Sequence, residues 1–269
     1  MRLADLPAYS AIAGFITVSI LCFGTLALRH APVQPPRLPT AALARIDAAA
    51  PVTQVRHEAD PFESLRRQMH WVPTKVGREV LMAPDVESRM LLARSAAERA
   101  VLAEVGLSYK DVYAIINAET SWVPRTGASR DGTPNLGIAQ FEPATAKALG
   151  LRNPDDPVEA VHAAAMHIKE AALWSSERIR SLKLTRVQHD EKLREGISIY
   201  YNLSTRGRNQ WNGLNTAQLP VQTQRHIANA RAGLLEAELI DLSSRRRRGS
   251  VAVMTAQAFD RERPRPTPG

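Results

Sequence analysis

Residues 109–119 read YKDVYAIINAE, and the reading of this chain turns on them. Taken as a helix, Val112, Ile115 and Ile116 fall at i, i+3 and i+4, and Glu119 follows at i+7 on the same face. A carboxylate on an apolar stripe loses hydration, which disfavours its charged form. Retaining a proton near neutral pH is what a general acid requires. The other reading is a Glu that ends its helix and turns out to solvent, and residues 109–119 alone leave both open. Ser108, with Asp111 three residues on, is a capping pair that opens the helix.

The residues after Glu119 weigh on the choice. Thr120-Ser121-Trp122-Val123-Pro124 closes the helix at the proline, and Asp131-Gly132 with Thr133-Pro134-Asn135 is turn chemistry. Gly137 offers a place where backbone or ligand approaches closely, and Gln140 brings an amide that donates and accepts hydrogen bonds. Residues 141–150, FEPATAKALG, read as a further helix stopped by Gly150.

Glu119-Thr120, Gly137-Ile138-Ala139-Gln140, Thr145-Ala146 and Leu149-Gly150 together resemble the signature of the soluble lytic transglycosylase (SLT) domain family, which is lysozyme-like. The stretch from Asp131-Gly132-Thr133 to Leu136-Gly137 is similar to the branch associated with secretion and conjugation systems. The resemblance continues in order through Asp155-Asp156-Pro157-Val158-Glu159-Ala160, Ser198-Ile199-Tyr200-Tyr201-Asn202 and Leu219-Pro220-Val221-Gln222-Thr223. It spans about half of the chain. Four departures accompany it. Thr120 stands where the family usually has Ser, and Ala139 where a Met commonly precedes the Gln. Leu203-Ser204-Thr205-Arg206-Gly207 replaces Ala-Gly after Tyr-Asn, and His226 stands for the usual Tyr after Leu-Pro-x-x-Thr.

Composition bounds the reading. A chain of 269 residues holds one or two domains, and 44% hydrophobic residues with only 5% aromatics favour a helical core over a sheet sandwich. The formal charge of +8 makes an anionic partner plausible. Residues 243–269 carry seven Arg against Asp260 and Glu262, a net +5, so the remainder is only mildly basic and no nucleic-acid partner is expected. Cys22 is the only cysteine, which leaves no disulfide framework and no cysteine-based metal site. The bulky Leu21 before it argues against lipoprotein processing.

Four segments are expected. Residues 1–30 hold a transmembrane anchor or signal segment, because residues 8–28 are apolar, uncharged and long enough to span a bilayer. Thr25-Leu26-Ala27 would serve as a cleavage site. The length and the following Arg29 and His30 favour the anchor, which would place the chain as a single-pass protein of the bacterial inner membrane with its domain in the periplasm. Cleavage would instead release it to the periplasm. Residues 31–84 read as a Pro/Ala-rich linker and pre-domain region, with Trp71 and Val72 as packing anchors. Residues 85–242 form the catalytic domain, with helices over residues 158–182, 191–201 and 222–239 and an apolar spacing kept from Met90 to Val105. Residues 243–269 read as a basic disordered tail. The expected fold class is mainly α: a lysozyme-like helical domain with a small loop or β-hairpin region beside the active site.

Other chemistry is weaker. His162 and His167 lie five residues apart on one helix, on different faces, and read as packing or surface histidines. There is no Gly-rich phosphate loop and no Gly-x-Ser-x-Gly elbow. Glycosidases usually pair two carboxylates. Here the candidates for a second are Asp131, in turn sequence, and Glu142, which helix capping explains. The resemblance implies a single catalytic Glu, Glu119, which protonates the bond between N-acetylmuramic acid and N-acetylglucosamine. It then acts as base while the muramyl 6-hydroxyl closes a 1,6-anhydro ring. The resemblance further implies that Thr120, Gly137, Gln140, Tyr201 and Asn202 line or support the substrate site, with Tyr201 orienting the acid. No metal or organic cofactor is implied. The partners expected are peptidoglycan strands, the membrane and an envelope-spanning secretion or conjugation apparatus. A water-using muramidase and a non-catalytic wall-binding scaffold are the alternatives.

Overall fold

The computed structural model describes residues 60–129 and 131–261, with side chains described through Arg247. They belong to the unit formed by residues 57–269. In chain order the elements are α1 (Glu63–Gln68), β1 (Trp71–Val76), β2 (Glu79–Pro84), α2 (Val86–Arg99), α3 (Tyr109–Thr120), β3 (Gly127–Ala128), β4 (Pro134–Asn135), α4 (Pro143–Ala148), α5 (Pro157–Ile179), α6 (Arg186–Asn202), α7 (Thr205–Arg208) and α8 (Val221–Arg261). The architecture is mainly helical, with two small antiparallel hairpins. The apolar run at residues 8–28 and the proline-rich stretch up to residue 59 lie outside the described residues. Among the described residues no helix is long and apolar enough to cross a membrane.

Helix α3 is the central element and packs against α2, α5 and α8. Ser108 and Asp111 form the capping box that opens it, and Asp111 also accepts from Arg194 Nε at 2.7 Å. Val112, Ile115 and Ile116 are buried as their spacing requires. Full burial of such side chains stabilises a fold by about 1.5–3 kcal/mol each. Helix α8 crosses α3 closely at Gly233, where a Cβ would come within 3.0 Å of Ala114 Cα and Asn117 Cβ. That close crossing fixes where the first turns of α8 face the end of α3.

Helices α5 and α6 pack side by side behind this pair. Asp156 caps α5 by accepting from the Val158 amide at 2.9 Å, with Pro157 at the first helical position. Helix α6 starts at Arg186, five residues before the expected Glu191, because Thr185 and Gln188 form a second capping box.

Several expectations need correction. The helix from Asp85 does not continue to Val105. It ends at Arg99, and Val101 adopts a left-handed conformation (φ 52°) that carries the chain into a 3-10 turn at Leu102–Val105. The wheel positions of Leu102 and Val105 are compatible with either geometry, so spacing alone does not reveal the break.

Residues 60–84 are part of the folded unit. Phe62 packs on His162 with ring centroids 4.4 Å apart, Arg66 pairs with Asp156, and the His70 amide donates to Ser88 Oγ at 2.8 Å. The hairpin β1–β2 turns at Gly77 (φ 61°), the positive dihedral that a two-residue loop takes at its first position. Trp71 and Val72 are exposed; Met69 and Ala83 are the buried anchors.

At the other end, α8 does not stop near Leu242 but runs to Arg261. Buried Asp241 accepts from Arg94 at 2.7 Å and from Arg245, one turn further along, at 2.9 Å. Arginine is a good helix former, so a basic run one turn beyond a buried acid continues the helix. The disordered-tail reading of residues 243–269 is therefore corrected over residues 243–261.

Candidate active site

Glu119 sits in the last turn of α3. The chain reverses at once: Ser121 and Trp122 both take left-handed conformations (φ 53° and 65°). Trp122 pays for that strain by full burial against Tyr113, with ring centroids 5.1 Å apart. Arg125 returns to the helix end, donating from Nη1 to the Thr120 carbonyl at 2.7 Å and from Nη2 to the Glu119 carbonyl at 3.3 Å. A cation on the last carbonyls of a helix satisfies acceptors that have no partner within the helix.

The loop that follows is bound to α3 by its own backbone. Thr120 is buried, and its hydroxyl donates to the Ile138 carbonyl at 2.8 Å. It therefore supports the site by positioning the loop and is not among the residues that line the cleft. Gln140 has φ 52°, and its amide nitrogen donates to the carbonyls of Arg125 (2.7 Å) and Gly137 (2.8 Å). Its donor is thus occupied in clamping the loop, and its carbonyl oxygen lies against Gly127. Gly137 (φ 65°) is where the Pro154 carbonyl approaches, so tightly that a Cβ would collide with it. The close approach there is made by backbone. Hairpin β3–β4 lies in the same loop, where a small hairpin was expected beside the site.

Glu119 opens into a cleft of about 870 Å³. Its Oε1 accepts from His226 Nε2 at 2.7 Å, across α3 and α8. The Nδ1 of His226 is buried with no partner. A proton on Nδ1 would be an unsatisfied buried donor, so the arrangement is satisfied by imidazole with Nε2–H donating and Nδ1 bare. One carboxylate oxygen is thereby held by His226.

The Tyr201 hydroxyl makes no hydrogen bond to Glu119. It is buried without a partner, and burial together with the charge of Glu119 pushes the phenol well above its ordinary range. Its ring lies parallel to that of His226 at 6.5 Å and against Phe141 and His167, so it shapes the wall as a neutral group. Asn202 accepts from the buried Thr223 hydroxyl at 2.8 Å. That bond ties the end of α6 to the first turn of α8, one turn before His226.

Two further carboxylates line the cleft. Glu142 makes no side-chain cap to α4 and accepts from Ser129 Oγ at 2.9 Å, so the capping explanation does not hold for its side chain. Glu170 accepts from Tyr200 Oη at 2.5 Å, and burial and this bond push the Tyr200 phenol up to about 12. Asp131 is exposed in its turn, accepting from the Thr133 amide at 3.0 Å. His167 contributes its ring to the wall between Tyr200 and Tyr201, and burial holds it below its ordinary range. His162 is a buried packing histidine between Ser95 (3.0 Å) and the Val158 carbonyl (2.8 Å).

His226, Arg125, Glu170 and Arg208 are the residues that the sequence did not assign to the site. Of these, only His226 carried a signal: it replaces the aromatic that usually follows Leu-Pro-x-x-Thr.

No curated protein matches the chain. Residues 98–177, which run from the end of α2 through most of α5 and include Glu119, Thr120, Gly137 and Gln140, match the family model described as Transglycosylase SLT domain. That match falls on a mainly helical fold that places a glutamate at a helix end in an open cleft, an arrangement consistent with the SLT, lysozyme-like family.

Proposed function

We propose that this protein is a peptidoglycan lytic transglycosylase and that Glu119 is its acid and base. The observation that carries the reading is the Glu119 carboxyl facing the cleft with Oε1 held by His226 at 2.7 Å. The remaining oxygen delivers its proton to the glycosidic oxygen between N-acetylmuramic acid and N-acetylglucosamine as the C1–O bond breaks. The resulting carboxylate accepts the proton of the muramyl 6-hydroxyl as that oxygen bonds to C1. The proton returns to Glu119 and no water is consumed. The attack is intramolecular, which removes much of the entropic cost of bringing a nucleophile to the sugar. The Tyr201 and Phe141 rings lie together on the wall of the same cleft.

Two other carboxylates, Glu142 and Glu170, line the same cleft, which favours a second reading: a muramidase in which one of them activates water. Mass spectrometry of purified peptidoglycan digested by the full chain separates the two. Anhydromuropeptides are expected from the wild type and none from Glu119→Gln. Reducing ends would establish the muramidase, and no product from either protein would turn the reading to a wall-binding scaffold.

The apolar, uncharged run at residues 8–28 supports export with the domain in the periplasm. The Asp131-Gly132-Thr133 resemblance supports service to an envelope-spanning secretion or conjugation apparatus. Retention of the full chain in washed inner membranes, and its loss on deleting residues 8–28, tests the anchor.

A further inference from the structure

We propose that Arg208 forms a carboxylate-binding subsite at the α7 end of the cleft, which takes an acidic group carried by the glycan strand. The proposal rests on the reading of the cleft as a peptidoglycan site. Among the described residues that line it, Arg208 is the only Lys or Arg, against Glu119, Glu142 and Glu170. An acidic ligand group is thus repelled over most of the cleft and attracted at one end of it.

The arginine is already in place. Its guanidinium carbon lies 3.7 Å from the centroid of the Tyr200 ring. That ring is fixed by its hydroxyl, which donates to Glu170 at 2.5 Å, and by Trp174, with centroids 5.3 Å apart. Stacking occupies the face of the guanidinium and leaves its edge, where the N–H donors lie. Arg208 makes no ion pair among the described residues, and Glu170 and Arg208 both act on the Tyr200 hydroxyl. Arg208 is half-buried, so its charge is less screened than on an open surface. A planar, partly desolvated fork that has no carboxylate partner matches the two oxygens of a carboxylate. Helix α7 presents it directly after the run Leu203 to Gly207, which stands where the resembled family has Ala-Gly after Tyr-Asn.

The sugars of the strand are neutral. Its carboxylates come from two sources: the peptides attached to muramic acid, and the muramyl lactyl group itself where the peptide is missing. Both offer the same chemistry to Arg208.

The test measures binding of the full chain carrying Glu119→Gln, with and without Arg208→Ala, to three ligands. These are peptide-bearing glycan strands, strands stripped of peptide by an amidase so that the lactyl carboxylate is free, and a chitin oligosaccharide with no carboxylate. Loss of the arginine is expected to weaken binding of the peptide-bearing strands by roughly tenfold or more and to leave the chitin oligosaccharide unchanged. Added salt is expected to weaken the first and not the last. A loss on stripped strands alone assigns the lactyl carboxylate, a loss on peptide-bearing strands alone assigns the peptide, and a loss on both shows that Arg208 takes either carboxylate. Arg208→Lys keeps the charge without the fork and is expected to recover part of the loss. Equal weakening on all three ligands, or on none, overturns the subsite. Failure to bind any of the three overturns both the subsite and the peptidoglycan reading. Arg208-dependent binding by a chain whose wild type releases no product leaves the subsite standing and removes only the catalytic reading.

Discussion

The two walls of the cleft are built in different ways. The wall from Glu119 to Glu142 is tied together by side chains bonded to backbone: Arg125 to the carbonyls of Glu119 and Thr120, Thr120 to Ile138, and Gln140 to Arg125 and Gly137. The wall from α5 to α8 is tied by side chains bonded to side chains: Tyr200 to Glu170, Asn202 to Thr223, and His226 to Glu119 itself. Backbone acceptors are present whatever the neighbouring residue types are, so the first wall is a fixed frame. The second depends on the identity of both partners, so a substitution there changes chemistry while leaving the frame. The matched family segment, residues 98–177, contains the whole of the first wall and only the α5 part of the second.

Replacing the acid gives the largest effect. Glu119→Gln is expected to cut the rate of anhydromuropeptide release by about 10²–10⁴-fold, the usual contribution of a general acid, with a melting midpoint close to that of the wild type. A large drop in the midpoint would mean that Glu119 holds the frame as well as the proton. His226, from the opposite wall, comes next. His226→Ala is expected to lower kcat by roughly 10–100-fold with little change in KM, because it removes the hydrogen bond to the carboxylate that forms as Glu119 delivers its proton, and His226 does not line the cleft. His226→Gln keeps an N–H donor and is expected to recover part of kcat. If KM rises and kcat does not fall, His226 contacts substrate and the contrast between the walls is misdrawn.

The frame is tested by stability. Gly137→Ala places a Cβ against the Pro154 carbonyl at a positive φ and is expected to destabilise the fold by roughly 1–3 kcal/mol in chemical denaturation. An unchanged midpoint would show that the loop is not fixed by that approach. The smallest effect is on pH. Burial lowers His162 and His167 below the ordinary value of 6.5, so the folded state binds fewer protons than the unfolded chain. Their stabilising contribution is complete above pH 6.5 and is lost as pH falls below it toward the folded values. Denaturation midpoints are therefore expected to drop between pH 7 and pH 5, and His162→Gln to flatten part of that slope. A slope unaffected by the substitution would remove His162 as one of its sources.

Local patterns in the sequence carried a good deal of this. The period of Val112, Ile115 and Ile116, with the Ser108–Asp111 box, was sufficient for α3, because helix periodicity and capping act within a few residues. The Asp131-Gly132 and Thr133-Pro134-Asn135 steps were legible as turns for the same reason. Gln140 and Thr120 were legible as residues of the site but not in their roles. Whether an amide faces a sugar or a carbonyl depends on where the loop folds back. The hairpin at residues 71–84 was missed because Pro73 and exposed side chains on both strands blur its alternation.

By itself, the sequence determined the helical class, the place of Glu119 at a helix end and the tight loop after it, since each follows from interactions between near neighbours along the chain. Only the tertiary structure decided that His226, 107 residues away, holds the Glu119 carboxyl, and that Arg208 faces the same cleft. Those choices come from the close crossing of α8 over α3 at Gly233 and from the Asn202–Thr223 tie. Such contacts are set by packing between segments far apart in the chain, which no local pattern encodes.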